Sequence, residues 1–253
     1  MLDRRLISSE VLKLRRRRGM LAIAGLLTLG LVLVVYAVMA VQHAGNPAHY
    51  GPAGGRANFV DFLGVLSMMA LVVGTIVGGT AGTQDIESGV FRDLAATGRS
   101  RLALFGARVT GAWVIVLPLL ALTMAVAGGL AVALAGGAAA PHAGILLTGS
   151  ASVLVAGALS TAIAVGLSAL VGSRGPVIGT MLAFLLALQP LLIAIGFLGA
   201  ARDIVPAIDI NRIAGTPLPT GIHTALITAI VATLAWGAAA LSLGAWKTAS
   251  REI

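Results

Sequence analysis

Apolar runs longer than about 18 residues recur along the whole chain, and a run of that length is read as a helix crossing a bilayer. Six can be marked, at 19–41, 59–82, 109–135, 144–171, 176–200 and 222–246. The third and fourth have the least sharply drawn ends, because GGAAAPHA at 136–143 is a weak break within a Gly/Ala-rich region. Composition agrees: only 10% of residues are charged and 58% are hydrophobic, against roughly a quarter charged in soluble domains. The expected fold is therefore an all-α integral membrane protein. Residues 1–253 are expected to form a single transmembrane domain, with no separate soluble domain among them.

Basic residues orient such a bundle, since Lys and Arg are retained on the cytoplasmic side. Seven lie in the N-terminal segment, four at 83–108 (Arg92, Arg99, Arg101, Arg108), one at Arg174 and two in the tail, fourteen in all. The other side holds only Arg56, Arg202 and Arg212. That asymmetry predicts a multi-pass protein of the cell (inner or plasma) membrane with both termini cytoplasmic. The N-terminus resembles a signal peptide, with Val38, Met39 and Ala40 as a small-residue cleavage site. Its apolar run is too long for that role, so an uncleaved first span is expected. The block Arg15–Arg18 would anchor it at the anionic inner leaflet. Upstream, Ile7, Val11 and Leu14 form a helical stripe that suits an interfacial helix, although a merely basic topogenic tail also fits.

The stretch TQDIESGVFRDLAATGRSR, residues 83–101, carries six of the 26 charged side chains between two apolar runs. On a helix over 84–96, Ile86, Val90, Phe91 and Leu94 share one arc, while Asp85, Ser88 and Arg92 take the other. Thr97 and Gly98 supply a stop. Gly89 in the interior would cost about 1 kcal/mol against Ala, and would admit a partner closely. Such an amphipathic helix either docks on a soluble protein or lies on the membrane.

This arrangement resembles the type-2 ABC transporter permease family. The matching residues are Glu87, Gly89, Arg92 and Leu94, then Arg101 and Arg108, after a basic N-terminal helix and two spans. Family members often carry a proline near Thr97 and Gly98 and a lysine near Arg108, and this chain does not. The resemblance implies a cytoplasmic coupling helix between the second and third spans, with Asp85, Ile86, Glu87, Gly89, Val90, Arg92 and Leu94 meeting a separate ABC ATPase. It also implies a second permease half, identical or not, and export of substrate when the ATPases close.

The chain itself has no nucleotide site. A P-loop reads G-x-x-x-x-G-K-[ST], and neither Lys13 nor Lys247 stands in that context. ATP and Mg would be bound by the ATPase, no cofactor or metal is expected here, and no nucleic acid is implied. The chain is thus expected to be a non-catalytic subunit. An intramembrane serine protease would need a base near Ser150, Ser160 or Ser168, and no histidine lies at membrane depth. These serines are expected to bond to their own helix or to a neighbouring one. An ion-coupled secondary transporter is the alternative reading. Proton coupling is disfavoured by the lack of an ionisable group near any span centre, Asp61 and Arg108 lying at span ends; sodium coupling stays open.

Three further features stand out. Gly74, Gly78 and Gly82 form a ridge for helix packing, within one chain or across a dimer. Gln189 and Pro190 interrupt the fifth span and, with Met181, Phe184 and Phe197, mark a candidate substrate path, although packing alone is the better explanation of those three. Pro118 marks an ordinary kink in the third span. The connection ARDIVPAIDINRIAGTPLPTG at 201–221 either dips back toward the membrane or is a plain outer loop. Without buried charge to pair a highly charged cargo, the spans favour an apolar or amphipathic substrate.

Overall fold

The computed structural model describes residues 4–90, 98–216, 218 and 221–250. The amphipathic N-terminal helix is α1 (Arg4–Arg16). Six long apolar helices follow: α2 (Arg18–Gly45), α3 (Arg56–Glu87), α4 (Arg101–Ala133), α5 (Ala143–Val171), α6 (Arg174–Ala194) and α8 (Leu226–Ser250). Between α6 and α8 lie a 3-10 segment, Gly196–Ile204, and a short helix α7 (Pro206–Ala214). This is a multi-pass all-α membrane bundle. The long helices correspond to the six expected spans, with shifted ends: α3 continues past 82, α6 stops at Ala194 rather than 200, and α8 starts at Leu226 rather than 222.

Small residues decide the centre of the bundle. Along α3, a methyl group added at Gly74 would lie 2.6 Å from the Gly157 carbonyl oxygen, and one at Gly78 would lie 2.6 Å from that of Thr161. One at Gly82 would meet Ser168. The glycine ridge therefore packs inside the chain, α3 against α5, where lipid offers no hydrophobic drive and backbone approach supplies the contact. The Ser168 hydroxyl donates to Ala164 O at 2.6 Å and reaches Gly79 O at 3.4 Å, and that of Ser160 reaches Ala70 O at 3.5 Å. Both expected kinds of serine bond are present. On the other side of α5, Gly166 meets Gly244 of α8, where an added methyl would lie 2.7 Å from the Gly166 Cα.

The peripheral helices α2, α6 and α8 expose apolar side chains such as Val34, Leu191 and Val231, as lipid-facing surfaces do. Two of them contain π-turns. In α2 the Leu31 amide donates to Leu26 O, and in α6 the Gln189 amide donates to Phe184 O, each five residues back. The second sits immediately before Pro190, which has no N–H and crowds the carbonyl four residues earlier, so the preceding turn widens.

One face of the bundle gathers the segments expected to share a side. Lys13 of α1 pairs with Asp85 at the end of α3, Arg101 of α4 donates to Ala249 O of α8, and the Arg174 amide of α6 bonds Glu87. At the opposite end the loop before α3 is strapped over α4: the amides of Gly54 and Gly55 donate to Leu134 O and Ala131 O at 2.8 and 2.7 Å.

The helix expected over 84–96 does not form as drawn. The second span continues unbroken through Asp85, Ile86 and Glu87, and Gly89 adopts φ 74°, the left-handed geometry that ends a helix. Gly89 is thus a terminator rather than a small interior residue. The backbone is helical again at Val90; Arg92 and Leu94 lie outside the described residues.

Candidate functional site

Two arrangements stand apart from ordinary packing. The first is an ionic junction at the face shared by the N-terminus and the 83–108 connection. Helix α1 crosses α4 so closely that a methyl group at Gly111 would lie 2.7 Å from Glu10 Cβ. Its inward side carries Leu14 together with Glu10, which is why an apolar stripe alone did not reveal the contact face. Lys13 Nζ lies 2.7 Å from Glu10 Oε1 and 2.9 Å from Asp85 Oδ1, and Arg108 reaches Asp85 Oδ2 at 3.3 Å. Asp85 is 4% and Arg108 1% exposed. Just beyond, Arg17 Nε donates to Gln84 Oε1 at 3.1 Å.

Burial pushes the Glu10 carboxyl up, and the Lys13 hydrogen bond reverses only part of that shift. For Lys13 burial acts downward, but its hydrogen bonds to Glu10 and Asp85 prevail and hold the amine above its ordinary value. The junction therefore joins α1, the end of α3 and the start of α4 through one shared carboxylate. Asp85 faces this interior. Of the other residues expected to meet a partner, Ile86 is half-buried, and Glu87, Gly89 and Val90 are exposed on the same face.

The second arrangement is an apolar pocket of about 190 Å³ near the middle of the bundle, lined by Leu71, Ser160, Met181, Phe184, Pro206 and Trp236 among others. Leu71, Ser160, Phe184 and Trp236 each lie near the midpoint of their helix, so Pro206 stands at the same depth. The connection after α6 thus folds back into the bundle. Trp236 Nε1 donates to Ile204 O at 2.9 Å and holds the turning point, while Arg202 bonds the carbonyls of Ile193 and Gly221. Of the four residues expected along a substrate path, Met181 and Phe184 line the pocket. Gln189 is buried but is not part of the lining, and Phe197 is 89% exposed and stands outside it.

A residue that the sequence did not single out lies on the returning segment. Asp209 of α7 has no exposed surface, and neither carboxylate oxygen has a hydrogen-bond partner among the described residues. The absence of ionisable groups from the span centres holds for the spans alone, because this carboxyl reaches the interior on a connection between them. The motif D-I-N-R between prolines signalled it only as a polar break among isoleucines. No group of three or more potential metal ligands occurs among the described residues. No protein-family model matches the sequence, and no curated protein matches it.

Proposed function

We propose that this chain is the membrane-spanning permease subunit of an ATP-driven ABC exporter, working as one of two six-helix halves with a separate ATPase. The observation that supports it best is the ionic junction. The chain leaves α3 at Glu87, returns as α4 at Arg101, and both helix ends are tied to α1 through Asp85. A push on the exposed residues Glu87 to Val90 would move the second and third long helices together. Ile86, Val90 and Leu94 would meet the ATPase, with Glu87 and Arg92 orienting it; Asp85 would hold the lever from behind. The apolar pocket suits part of an apolar or amphipathic substrate, and Met181, Phe184 and Trp236 offer it contact. The chain has no P-loop, so hydrolysis would belong to the partner, which would bind ATP and Mg.

Isolation of the chain from its native membrane should bring down a stoichiometric ABC ATPase. Glu87→Lys or Val90→Asp should leave insertion intact and reduce that association and the coupled hydrolysis at least tenfold, about 1.4 kcal/mol of contact energy. Variants that retain full association would remove the coupling role. The fourteen-to-three charge count supports a cytoplasmic position for this face. In this cysteine-free chain, Asn46→Cys should label from outside intact cells and Ser88→Cys should not; the reverse pattern would invert the topology.

A second reading, an ion-coupled secondary transporter, draws support from Asp209. Flux through the purified chain alone, driven by a proton gradient, would select it over the exporter.

A further inference from the structure

Asp209 sits on a helix of nine residues wedged against α5, α8 and α3. Its neighbours Ile208 and Ile210 are also fully buried, so the carboxyl is enclosed while α7 occupies this place. An ionised carboxylate without a hydrogen-bond donor is strongly disfavoured in such surroundings. The charged groups on the packed elements do not relieve it. In the 3-10 segment, Arg202 is engaged by two backbone carbonyls, and Asp203 adds a second negative charge. Arg212, on α7 itself, donates to Thr224 O at 2.8 Å. Helix α5 carries no ionisable side chain, α8 has only Lys247 in its last turn, and α3 has Arg56, Asp61, Asp85 and Glu87 near its two ends. His223, in the connection before α8, is exposed.

We propose that Asp209 is a proton-binding site that latches α7 into the bundle, protonated while α7 is seated and ionised once α7 moves and exposes it. The proposal is independent of what energises transport. Burial, with a smaller contribution from Asp203, pushes the seated carboxyl up from 3.8 to about 7. An exposed carboxyl would return to the ordinary value, so the seated form binds more protons than the unseated one. Its stabilisation is complete below the exposed value and is lost as pH rises through about 7. Proton release and movement of α7 are then a single linked event.

Two measurements on the purified full chain in lipid nanodiscs test this. Infrared titration from about pH 5 to about pH 9 should show a carboxylic acid C=O band that disappears with a midpoint near 7. The band should be missing in Asp209→Asn, a substitution with the shape of the protonated acid, and Asp203→Asn should lower its midpoint. In parallel, a single cysteine at Ala214, buried at the end of α7, reports unseating through maleimide labelling. After correction for thiol reactivity with the same cysteine in Asp209→Asn, labelling should rise by up to about tenfold per pH unit up to about 7 and level off above it. Absence of any band shifted by Asp203→Asn and assignable to Asp209 would overturn the proton site. A titrating band with equal labelling profiles in both backgrounds would overturn the latch.

Discussion

Gly74→Ala should destabilise the bundle by about 3 kcal/mol, the upper end of the range for overpacking, and Gly74→Val should prevent α3 and α5 from docking. The reason is where the added carbon would fall. It would lie 2.6 Å from the Gly157 carbonyl oxygen and 2.9 Å from Thr161 Oγ1, and the first of these is backbone that cannot rotate away. Gly64, on the same helix, has nothing within 4 Å of an added methyl. Gly64→Ala should therefore be neutral or slightly stabilising, because Ala favours a helix over Gly by about 1 kcal/mol. Equilibrium unfolding in detergent, with all three variants measured against wild type, checks the contrast. Equal stability of Gly74→Ala and Gly64→Ala would contradict the close approach of α3 and α5.

Asp85→Ala should cost about 3 kcal/mol, since removing one member of a buried ionic group leaves its partners poorly compensated. The figure sits at the low end of the range because the Lys13 side chain is 29% exposed and water takes over part of the carboxylate's role. The expected structural consequence is release of α1, and the basic block Arg15–Arg18 should become a trypsin site in the folded protein. Lys13→Ala should cost less, because Arg108 still compensates Asp85 at 3.3 Å. Unchanged stability together with unchanged proteolysis would mean that the junction does not hold α1 in place.

These two sites differ in how far the sequence revealed them. The glycine spacing at 74, 78 and 82 announced a surface of close approach, because only small residues let two backbones meet in lipid. It did not say which helix fills the groove; Gly157, Thr161 and Ser168 supply the answer from about 80 residues away. Asp85 reads in the sequence as a residue on the polar side of an amphipathic helix that meets a partner, not as a buried one. Its burial depends on two cations, Lys13 and Arg108, brought in from different helices, and pairing across such distances leaves no periodic trace.

Gly89 shows a related ambiguity. On a helical wheel it falls inside an amphipathic pattern, yet a glycine fits equally well as the left-handed residue that ends a helix, and φ 74° selects the second. Phe197 and Gln189 were grouped with Met181 and Phe184 by shared span. The π-turn at Phe184–Leu188 shifts the register before Gln189, and the chain leaves its α-helical course at Ile195 before Phe197, so sequence proximity ceased to mean a shared face at either residue.

The six long apolar helices and the face that collects the basic segments follow from the sequence alone. Length and hydrophobicity are local properties that the bilayer reads directly, and charge is counted connection by connection. Only the tertiary structure decided that α1 closes over Asp85, that α7 returns to the depth of Trp236, and that Asp209 is enclosed. Each of these is set by which surfaces meet, and a carboxylate acquires its character from neighbours that the chain brings together only when it folds.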